Sequence, residues 1–372
     1  MTVALLPLSF ISARAEEQKA NLNLDCQSAV LMEASTGRIL YEQNPDAALP
    51  PASVTKIMTL LLVMEAIDSG NLNLTDTIQA SEYAASMGGS QVFIEPNESM
   101  SVEDLLKSVV IASANDAAVV FAENIGGSVE GFVEKMNQKA KELGMENTNF
   151  ENPTGLDDNT VNHVTSAKDI AIMSRELLKH ETILNYTNIW MDTIRNGEFG
   201  LTNTNRLIRF YKGANGLKTG STSKAKFCIS ATAKRDGMQL IAVIMGSPTR
   251  DIRNDCAKKL LDYGFANYSL ANYNGGSAGR IRVLRGEKNE IDTYYQGSTI
   301  LVGKGENKNI NENFVLNNNV SAPVKAGEKL GEVIYTLNGN EVGRVDITAG
   351  ESVERLSYMN VVGRIIKNIF HI

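Results

Sequence analysis

The pattern of apolar and polar positions predicts strands at the start of the chain and a helix soon after. Residues 28–41 carry apolar positions on both sides of a Ser-Thr-Gly turn, which is typical of a β-hairpin. Pro50-Pro51 then stops regular structure, and apolar residues recur at helical spacing over residues 57–67. We therefore expect Ser53 to lie at the start of a buried helix.

Helical periodicity continues through the middle of the chain and then gives way to strands. Ser101 begins a capping box ahead of one helix. The helical segments predicted after it are residues 117–125, 129–143 and 166–178. Beyond Lys218, residues 227–233 and 240–245 flank an Arg-Asp-Gly turn and predict a hairpin, and residues 253–263 predict a closing helix.

The last hundred residues have a different pattern. Residues 272–279 are rich in Gly and Asn and predict a linker, which a small all-β module follows. The strands predicted in this module are residues 281–284, 300–302, 314–316 and 333–337. Over residues 356–372, Met359, Val362, Ile366, Ile369 and Phe370 share one helical face, opposite Arg364 and Lys367. This is typical of a basic amphipathic helix at a membrane surface, although packing on its own β module is the alternative.

Length and composition limit the organisation of the chain and its partners. With 372 residues and 43% hydrophobic content, the chain can form more than one core, since single cores stop growing at roughly 250–300 residues. We expect an α+β domain over residues 16–271, a small β-sandwich over residues 280–350 and a helix over residues 353–372. The net charge of -7 argues against a nucleic-acid partner.

The first fifteen residues indicate export. The apolar run over residues 3–12 is too short to span a bilayer and ends in Ala13-Arg14-Ala15, a small-x-small pattern typical of signal-peptide cleavage. No Lys or Arg precedes the run, so a truncated start and a frayed apolar terminus stay open. Cys26, Cys228 and Cys256 are an odd, sparse set and predict no disulfide framework.

Three short motifs occur in order along the chain and together describe a serine acyl-transfer site. They are Ser53-Val54-Thr55-Lys56, Ser113-Ala114-Asn115 and Lys218-Thr219-Gly220. Each motif alone is weak, because the Ser-x-x-Lys spacing recurs at Ser221/Lys224 and at Ser223/Lys226. The order and the local context favour the first copy.

The residue types fit the chemistry of an activated serine. Ser53 and Lys56 share a helical face at i and i+3, which brings an amine within reach of a hydroxyl. A lysine serves as a base only if burial or a nearby cation lowers its pKa, and Lys218 is the candidate cation. Ser113 can relay a proton between Lys56 and a leaving amine, and the Asn115 amide can hold Lys56. On a sheet edge, Lys218 can bind a substrate carboxylate while the substrate pairs as an added strand.

At these residues the chain resembles the serine D-alanyl-D-alanine carboxypeptidases, the low-molecular-mass penicillin-binding proteins. Residues 51–59, 113–117, 152–156 and 216–220 all look like that family's motifs, so the match covers nearly the whole chain. The resemblance implies a β-lactamase/transpeptidase-like domain, in which an antiparallel sheet packs with a helical cluster. A small all-β domain and a terminal amphipathic helix then follow.

The resemblance also implies roles for individual residues. Ser53 is then the nucleophile, Lys56 the general base, and Ser113 and Asn115 the second motif. The substrate-binding residues are Lys218, Thr219, Gly220, Ser221 and Arg253, and the backbone N–H groups of Ser53 and Ser221 are the oxyanion donors. Two positions depart from the family pattern, namely Asn215 in place of Asp and Lys224-Ala225-Lys226 in place of small residues.

The activity implied is removal of the terminal D-Ala from peptidoglycan stem pentapeptides, without cofactor or metal. β-Lactam antibiotics would acylate Ser53, and the enzyme would work at the outer face of the cytoplasmic membrane, in the cell-wall space. A class A β-lactamase is one alternative, but the Glu-x-x-Leu-Asn pattern of that family is absent. A catalytically idle binder of cell-wall peptides is the other. A Ser-His-Asp hydrolase has little support, because only His163 lies near a motif, and zinc-ligand spacing is absent.

Overall fold

A computed structural model describes residues 21–359 and residue 362. The predicted export signal at residues 1–15 lies outside the described residues, and so does most of the predicted helix at residues 353–372. The predicted start of that helix at residue 353 was wrong, because Val353 and Arg355 form isolated β-bridges with Val324 and Gly286. Tyr358 and Met359 are largely exposed. Within the described part of the chain, no helix combines the length and the apolar character needed to cross a membrane.

The larger unit contains short helices and strands inserted between the strands of one sheet. Its strands are β1 (Ser28–Glu33), β2 (Ile39–Gln43), β3 (Thr77–Gln79), β4 (Ser99–Ser101), β5 (Met191–Ile194), β6 (Phe199–Thr202), β7 (Ala214–Thr222), β8 (Lys226–Arg235) and β9 (Met238–Ser247). Its helices are α1 (Lys56–Asp68), α2 (Glu82–Ala85), α3 (Val102–Lys107), α4 (Asn115–Gly126), α5 (Val129–Glu142), α6 (Ala167–Leu177), α7 (Leu184–Thr187), α8 (Leu207–Phe210) and α9 (Arg250–Asn267).

The main sheet is five-stranded and antiparallel, with the order β2-β1-β9-β8-β7. Successive side chains of β1 alternate between its two faces, as strand geometry requires. Val30 and Met32 join the core under α1, α4 and α6, whereas Ala29 and Leu31 join the core under α9. Strand β7, which carries the third motif, is an edge strand of this sheet, the position in which a substrate can pair with it.

The helix boundaries follow local capping chemistry. Ser101 caps α3 by accepting a hydrogen bond of 3.1 Å from the backbone N–H of Asp104, as predicted, whereas the Asp104 carboxylate accepts from the backbone N–H of Arg195. Ser53 does not lie in α1 itself but in a 3₁₀ turn, Ala52–Thr55, that leads into the helix. Between α3 and α4 the chain forms a π-helical turn, Ser108–Ala112, and then reverses at Ser113.

The C-terminal part of the described chain is all β. Its strands are β10 (Tyr268–Tyr273), β11 (Gly276–Leu284), β12 (Glu290–Tyr295), β13 (Ser298–Gly303), β14 (Ile310–Leu316), β15 (Asn319–Ser321), β16 (Lys329–Leu337) and β17 (Asn340–Ala349). They form a six-stranded sheet and a separate β10-β13 pair. The linker predicted at residues 272–279 was wrong, because β10 and β11 take up most of it. Glycine-rich composition did not prevent pairing there, since β10 and β11 each have a partner strand along their length.

Candidate active site

Ser53 and Lys56 meet at the start of α1. The Nζ atom of Lys56 lies 3.1 Å from the hydroxyl oxygen of Ser53, and the lysine side chain is fully buried. Ala52, immediately before Ser53, has a φ of 49°, a left-handed conformation that side chains rarely adopt and that clusters at functional sites. The tight turn therefore presents the serine hydroxyl directly to the buried amine.

Two further acceptors surround the amine of Lys56. Its Nζ lies 2.5 Å from Oδ1 of Asn115 and 2.7 Å from the carbonyl oxygen of Thr154. A neutral lysine amine has two N–H bonds and one lone pair, and these two acceptors can take both N–H bonds. The lone pair is then left for the hydroxyl hydrogen of Ser53, so the arrangement can accommodate a base.

The electrostatic surroundings favour the neutral form of Lys56. Burial, and secondarily the positive charge of Lys218, hold the pKa of Lys56 well below its usual value of 10.5. The carboxylate of Asp116 acts in the opposite direction. Asp116 is itself occupied by the backbone N–H groups of Val92 and Ile94, which bond to its carboxylate at 3.0 and 3.2 Å.

Ser113 contacts the third motif rather than Lys56. The Nζ of Lys218 donates to Oγ of Ser113 at 2.8 Å and to the carbonyl of Thr219 at 3.0 Å. Ser113 has a φ of 63°, so the chain reversal after the π-helical turn places its hydroxyl against β7. The direct Ser113–Lys56 bond that the predicted relay needs is absent from the hydrogen bonds of these described residues, because the three partners of Lys56 are Ser53, Asn115 and Thr154.

Two buried cations lie together behind β7. Burial, and then the charge of Arg253, lower the pKa of Lys218 to about 7. Arg253 comes from α9, is 3% exposed and donates to the carbonyl of Cys228 at 3.3 Å and to the amide oxygen of Asn254 at 2.9 Å. Within the described residues, neither Lys218 nor Arg253 forms an ion pair with a carboxylate. This is the arrangement expected of a site that awaits an anion.

Gly220 brings strand β7 against the turn of the nucleophile. A Cβ atom at Gly220 would stand only 2.8 Å from the backbone nitrogen of Ser53 and 2.9 Å from that of Val54. The close approach therefore requires glycine at this position. It also places Ser221 beside Ser53, where both backbone N–H groups were predicted to face one oxyanion.

A loop that the sequence analysis recognised only by family likeness completes the surroundings of Lys56. The amide oxygen of Asn152 accepts from the backbone N–H groups of Thr154 and Gly155 at 3.1 and 2.7 Å, while its Nδ2 donates to Leu156. These bonds fix the carbonyl of Thr154 that faces Lys56. The Asn-Pro-x-Gly pattern is a turn signal that could have identified this loop, although not its contact with Lys56.

The motif residues open onto one pocket of about 390 Å³. The predicted residues that line it are Ser53, Ser113, Thr219, Gly220, Ser221 and Arg253. Lys56, Asn115 and Lys218 are buried behind this surface. The lining residues that sequence reasoning missed include Ser90, Trp190, Thr204, Arg206 and Arg250. No motif marks them, because four separate segments of the chain supply them.

The two departures from the family pattern lie beside the pocket and not in it. The amide of Asn215 exchanges hydrogen bonds with Gln239 and accepts one from Thr232 at 2.8 Å, which joins β7 to its neighbouring strands. Lys224 donates to the carbonyl of Asp157 at 2.8 Å, and the Asp157 carboxylate accepts from Thr222 at 2.5 Å. These contacts connect the loop after β7 to the loop that holds Thr154.

His163 has a structural position. Its Nε2 lies 2.8 Å from Oγ1 of Thr55, and its Nδ1 accepts from the backbone N–H of Glu151 at 2.9 Å. The accepting Nδ1 identifies Nε2 as the protonated nitrogen of a neutral ring, because one nitrogen of a neutral imidazole donates and the other accepts. Both ring nitrogens are therefore used by partners other than Ser53.

Comparison with known proteins agrees with this geometry. Residues 13–249 match the family described as D-alanyl-D-alanine carboxypeptidase, and residues 273–355 match the penicillin-binding protein 5 C-terminal domain. The chain is 41% identical to D-alanyl-D-alanine carboxypeptidase DacF of Bacillus subtilis over 98% of this chain and 95% of that protein. It is 31% identical to D-alanyl-D-alanine carboxypeptidase DacC of Escherichia coli over 99% of this chain and 94% of that protein.

Solved structures give the same result for both parts of the chain. Penicillin-binding protein 5 from Haemophilus influenzae superposes with a TM-score of 0.81 at 33% identity, over 89% of this chain and 98% of that one. Penicillin-binding protein D2 from Listeria monocytogenes, solved with ampicillin bound, superposes with a TM-score of 0.61 at 33% identity, over 66% of this chain and all of that one, 100%. By sequence and by fold, the chain belongs to the D-alanyl-D-alanine carboxypeptidase family.

Proposed function

We propose that this protein removes the terminal D-Ala from peptidoglycan stem pentapeptides through an acyl-enzyme on Ser53. The observation that carries the proposal is the contact between the Ser53 hydroxyl and the buried amine of Lys56, at 3.1 Å. A serine needs an adjacent base to become a nucleophile, and a lysine becomes one only when its pKa is lowered. Burial and the charge of Lys218 supply that lowering here.

Acylation begins when Lys56 takes the hydroxyl proton of Ser53 and the serine oxygen attacks the carbonyl between the two D-alanines. The carbonyl oxygen becomes an oxyanion, which the backbone N–H groups of Ser53 and Ser221 stabilise. The C–N bond then breaks, and the departing amine of D-Ala takes a proton. We assign this proton to Ser113, which lines the pocket, and Lys218 can replace it through their hydrogen bond of 2.8 Å.

The carboxylate of the substrate is held at the same end of the pocket. Lys218 and Arg253 supply positive charge that lacks an acidic partner within the described chain, and Thr219 supplies a hydroxyl beside them. A free carboxylate at the chain end is the group that distinguishes a carboxypeptidase substrate from an internal peptide bond. Gly220 allows the substrate backbone to pair with the edge of β7.

Water then attacks the acyl carbonyl and gives one proton through Ser113 to Lys218, which acylation left neutral. Lys56 returns its proton to the Ser53 oxygen as the ester bond breaks, so all three groups regain their starting protonation states. A β-lactam resembles the D-Ala-D-Ala dipeptide and acylates the same serine, but its leaving group stays attached. Among the described residues, the pocket lining contains no Asp or Glu, which are the residues a class A β-lactamase uses to activate the hydrolytic water. We therefore expect the penicilloyl-enzyme to persist.

The test combines intact-mass analysis after penicillin addition with an assay of D-Ala release from an acyl-D-Ala-D-Ala peptide. The wild type should gain one persistent penicilloyl mass and release D-Ala, and Ser53→Ala should do neither. Ser223→Ala is the matched control, because Ser223 begins another Ser-x-x-Lys spacing and is exposed. Rapid penicillin turnover without D-Ala release would indicate a β-lactamase, and neither signal would indicate a binder of cell-wall peptides.

We further propose that the enzyme is exported and that residues 356–372 hold it at the outer face of the cytoplasmic membrane. The support is the sequence pattern of that segment, in which basic residues oppose an apolar face. Truncation after Glu354 should abolish binding to vesicles that contain anionic lipid while D-Ala release from a soluble peptide is retained. Unchanged vesicle binding by the truncated protein would reject the anchor.

A further inference from the structure

The pocket has more positive charge than one substrate carboxylate requires. Its described lining contains Arg206, Arg250 and Arg253 but no acidic side chain. Arg253 is buried beside Lys218, whereas Arg206 and Arg250 are exposed at the opening. Neither of these two exposed arginines forms an ion pair with any described Asp or Glu, whereas four exposed basic residues of the β module do, namely Arg280, Lys288, Lys329 and Arg344.

Arg206 projects from a segment that is firmly attached to β7. Asn205, which is 1% exposed, donates from its amide to the carbonyl of Gly216 at 2.8 Å and accepts from the backbone N–H of Leu207 at 3.1 Å. Thr204 accepts from the Thr219 hydroxyl at 2.8 Å. The guanidinium carbon of Arg206 lies 5.9 Å from the ring centroid of Phe210. These contacts position Arg206 at the pocket opening.

Arg250 lines the same pocket from helix α9. It is the first residue of α9, three positions before Arg253, and its charge is close enough to lower the pKa of Arg253. Two exposed guanidinium groups thus line the pocket together with the buried Arg253, and the buried Lys218 is close enough for the charge of Arg253 to lower its pKa.

The position of Thr219 decides which end of the substrate these arginines face. The scissile carbonyl is expected at the N–H groups of Ser53 and Ser221, and the terminal carboxylate at Lys218 and Thr219. The substrate therefore runs from Ser221 toward Thr219 as it passes from the acyl part to the leaving residue. Because Thr219 bonds to Thr204, the segment that holds Arg206 lies on the leaving-group side.

We propose that Arg206 and Arg250 form a second carboxylate site, which favours an acidic over a neutral side chain of similar size when the leaving residue is larger than D-Ala. The inference rests on the proposed function and extends it to the leaving residue. The main-chain carboxylate of that residue occupies Lys218, Thr219 and Arg253. Its side-chain carboxylate then reaches the exposed pair, where planar guanidinium groups offer paired N–H donors.

The test compares leaving residues that differ in charge but hardly in shape. The substrates are acyl-D-Ala-D-Glu and acyl-D-Ala-D-Gln, and the measured quantity is the ratio of their kcat/KM values. We expect the wild type to prefer D-Glu by about fivefold, the effect of an exposed ion pair near 1 kcal/mol. The preference should decrease as ionic strength rises, because exposed charges are screened.

Variants identify the residues responsible. In the double variant R206Q/R250Q, the D-Glu to D-Gln ratio should fall to about one, whereas K212Q, which removes an exposed charge outside the pocket, should keep the wild-type ratio. A second substrate pair, acyl-L-Glu-D-Ala-D-Ala and acyl-L-Gln-D-Ala-D-Ala, carries the charge before the scissile bond. Its ratio should be the same in the wild type and the double variant.

Three results would overturn the inference. The first is a D-Glu to D-Gln ratio near one in the wild type, and the second is an unchanged ratio in R206Q/R250Q. The third is an effect of the double variant on the L-Glu to L-Gln ratio alone. The proposed function is judged separately, by D-Ala release from acyl-D-Ala-D-Ala and by the penicilloyl mass. A wild type that passes both of those assays without preferring D-Glu rejects the second carboxylate site alone.

Discussion

The amine of Lys56 lies 2.7 Å from the carbonyl oxygen of Thr154, although 98 positions separate the two residues in the chain. A backbone carbonyl only accepts hydrogen bonds, so it can hold the amine by an N–H and leaves the nitrogen lone pair free. Asn152 fixes this carbonyl through bonds to the backbone of its own loop. The loop therefore helps to orient the amine of Lys56 toward Ser53.

Replacement of Asn152 should slow acylation without removing any group that touches the substrate. We expect Asn152→Ala to lower the second-order rate of penicillin acylation about tenfold, because small displacements of a catalytic group reduce rates strongly. Stopped-flow or mass-based acylation kinetics measure this rate. Asn149→Ala is the control, since the Asn149 amide donates to the carbonyl of Asn162, away from Lys56. Equal rates for both variants would contradict the proposed positioning.

The pH dependence of acylation should report how the charge of Lys218 affects the pKa of Lys56. The neutral fraction of Lys56 rises as pH rises through its pKa, so acylation has an acidic limb at that pKa. Lys218 lowers this pKa, and its removal in Lys218→Met should therefore shift the acidic limb to higher pH. Acylation rates measured between pH 5 and 10 give the position of the limb independently of its height. Lys212→Met should leave the limb in place, and an unshifted limb in Lys218→Met would contradict the coupling.

Two glycines with the same backbone conformation should differ in their tolerance of a methyl group. Gly144 has a φ of 71° and open space at its Cβ position, whereas Gly155 has a φ of 81° and a Cβ position only 1.8 Å from the carbonyl oxygen of Ala52. Gly144→Ala should destabilise the protein by about 1 kcal/mol, the cost of a left-handed alanine. Gly155→Ala should cost at least about 3 kcal/mol, because backbone must also move.

Denaturant unfolding measures both free energies, and acylation kinetics provide a second readout. Ala52 immediately precedes Ser53, so a displaced Ala52 carbonyl should also slow acylation in Gly155→Ala but not in Gly144→Ala. Equal destabilisation by the two substitutions would show that the contact between Gly155 and Ala52 relaxes freely.

His163 should make the protein less stable in mild acid. Burial lowers its pKa from 6.5 to about 4, so between these pH values the unfolded chain binds a proton that the folded protein excludes. The free energy of unfolding should therefore fall as pH decreases from 6.5, by about 3 kcal/mol in total at pH 4. Above pH 6.5 this contribution is complete and constant. Carboxylates elsewhere add their own dependence, which a variant must separate.

His163→Gln provides that separation, because it removes the titrating group and retains polar atoms near Thr55. Its unfolding free energy should decrease less steeply than that of the wild type between pH 6.5 and 4. Parallel curves for the two proteins would show that the buried imidazole does not resist protonation.

The sequence could predict the contacts that lie within one helical turn. Ser53 and Lys56 are three residues apart, and helical geometry alone brings them together. The hairpin of β8 and β9 and the edge strand β7 also followed from local patterns. The second motif was recognisable as a motif, but its partner was not. Whether Ser113 contacts Lys56 or Lys218 depends on the π-helical turn before it, which no sequence period indicates.

The remaining features depend on how distant segments pack. Lys218 and Ser113 are 105 positions apart, and the Thr154 carbonyl is invisible to any search by side-chain type. Arg206 and Arg250 lack a motif because they come from distant segments, the turn before α8 and the first residue of α9. The linker predicted at residues 272–279 failed for a related reason, since composition cannot report the partner strands that pair with β10 and β11.

The close approach of Gly220 to the backbone of Ser53 limits how this enzyme could evolve drug resistance. A side chain at position 220 would displace the backbone of Ser53 and Val54. We expect this displacement to stop turnover of the natural substrate as well as acylation by the drug. We therefore expect resistance substitutions at the pocket opening, around Arg206 and Trp190. Side chains there can exclude a bulky β-lactam while the peptide substrate still binds and is hydrolysed.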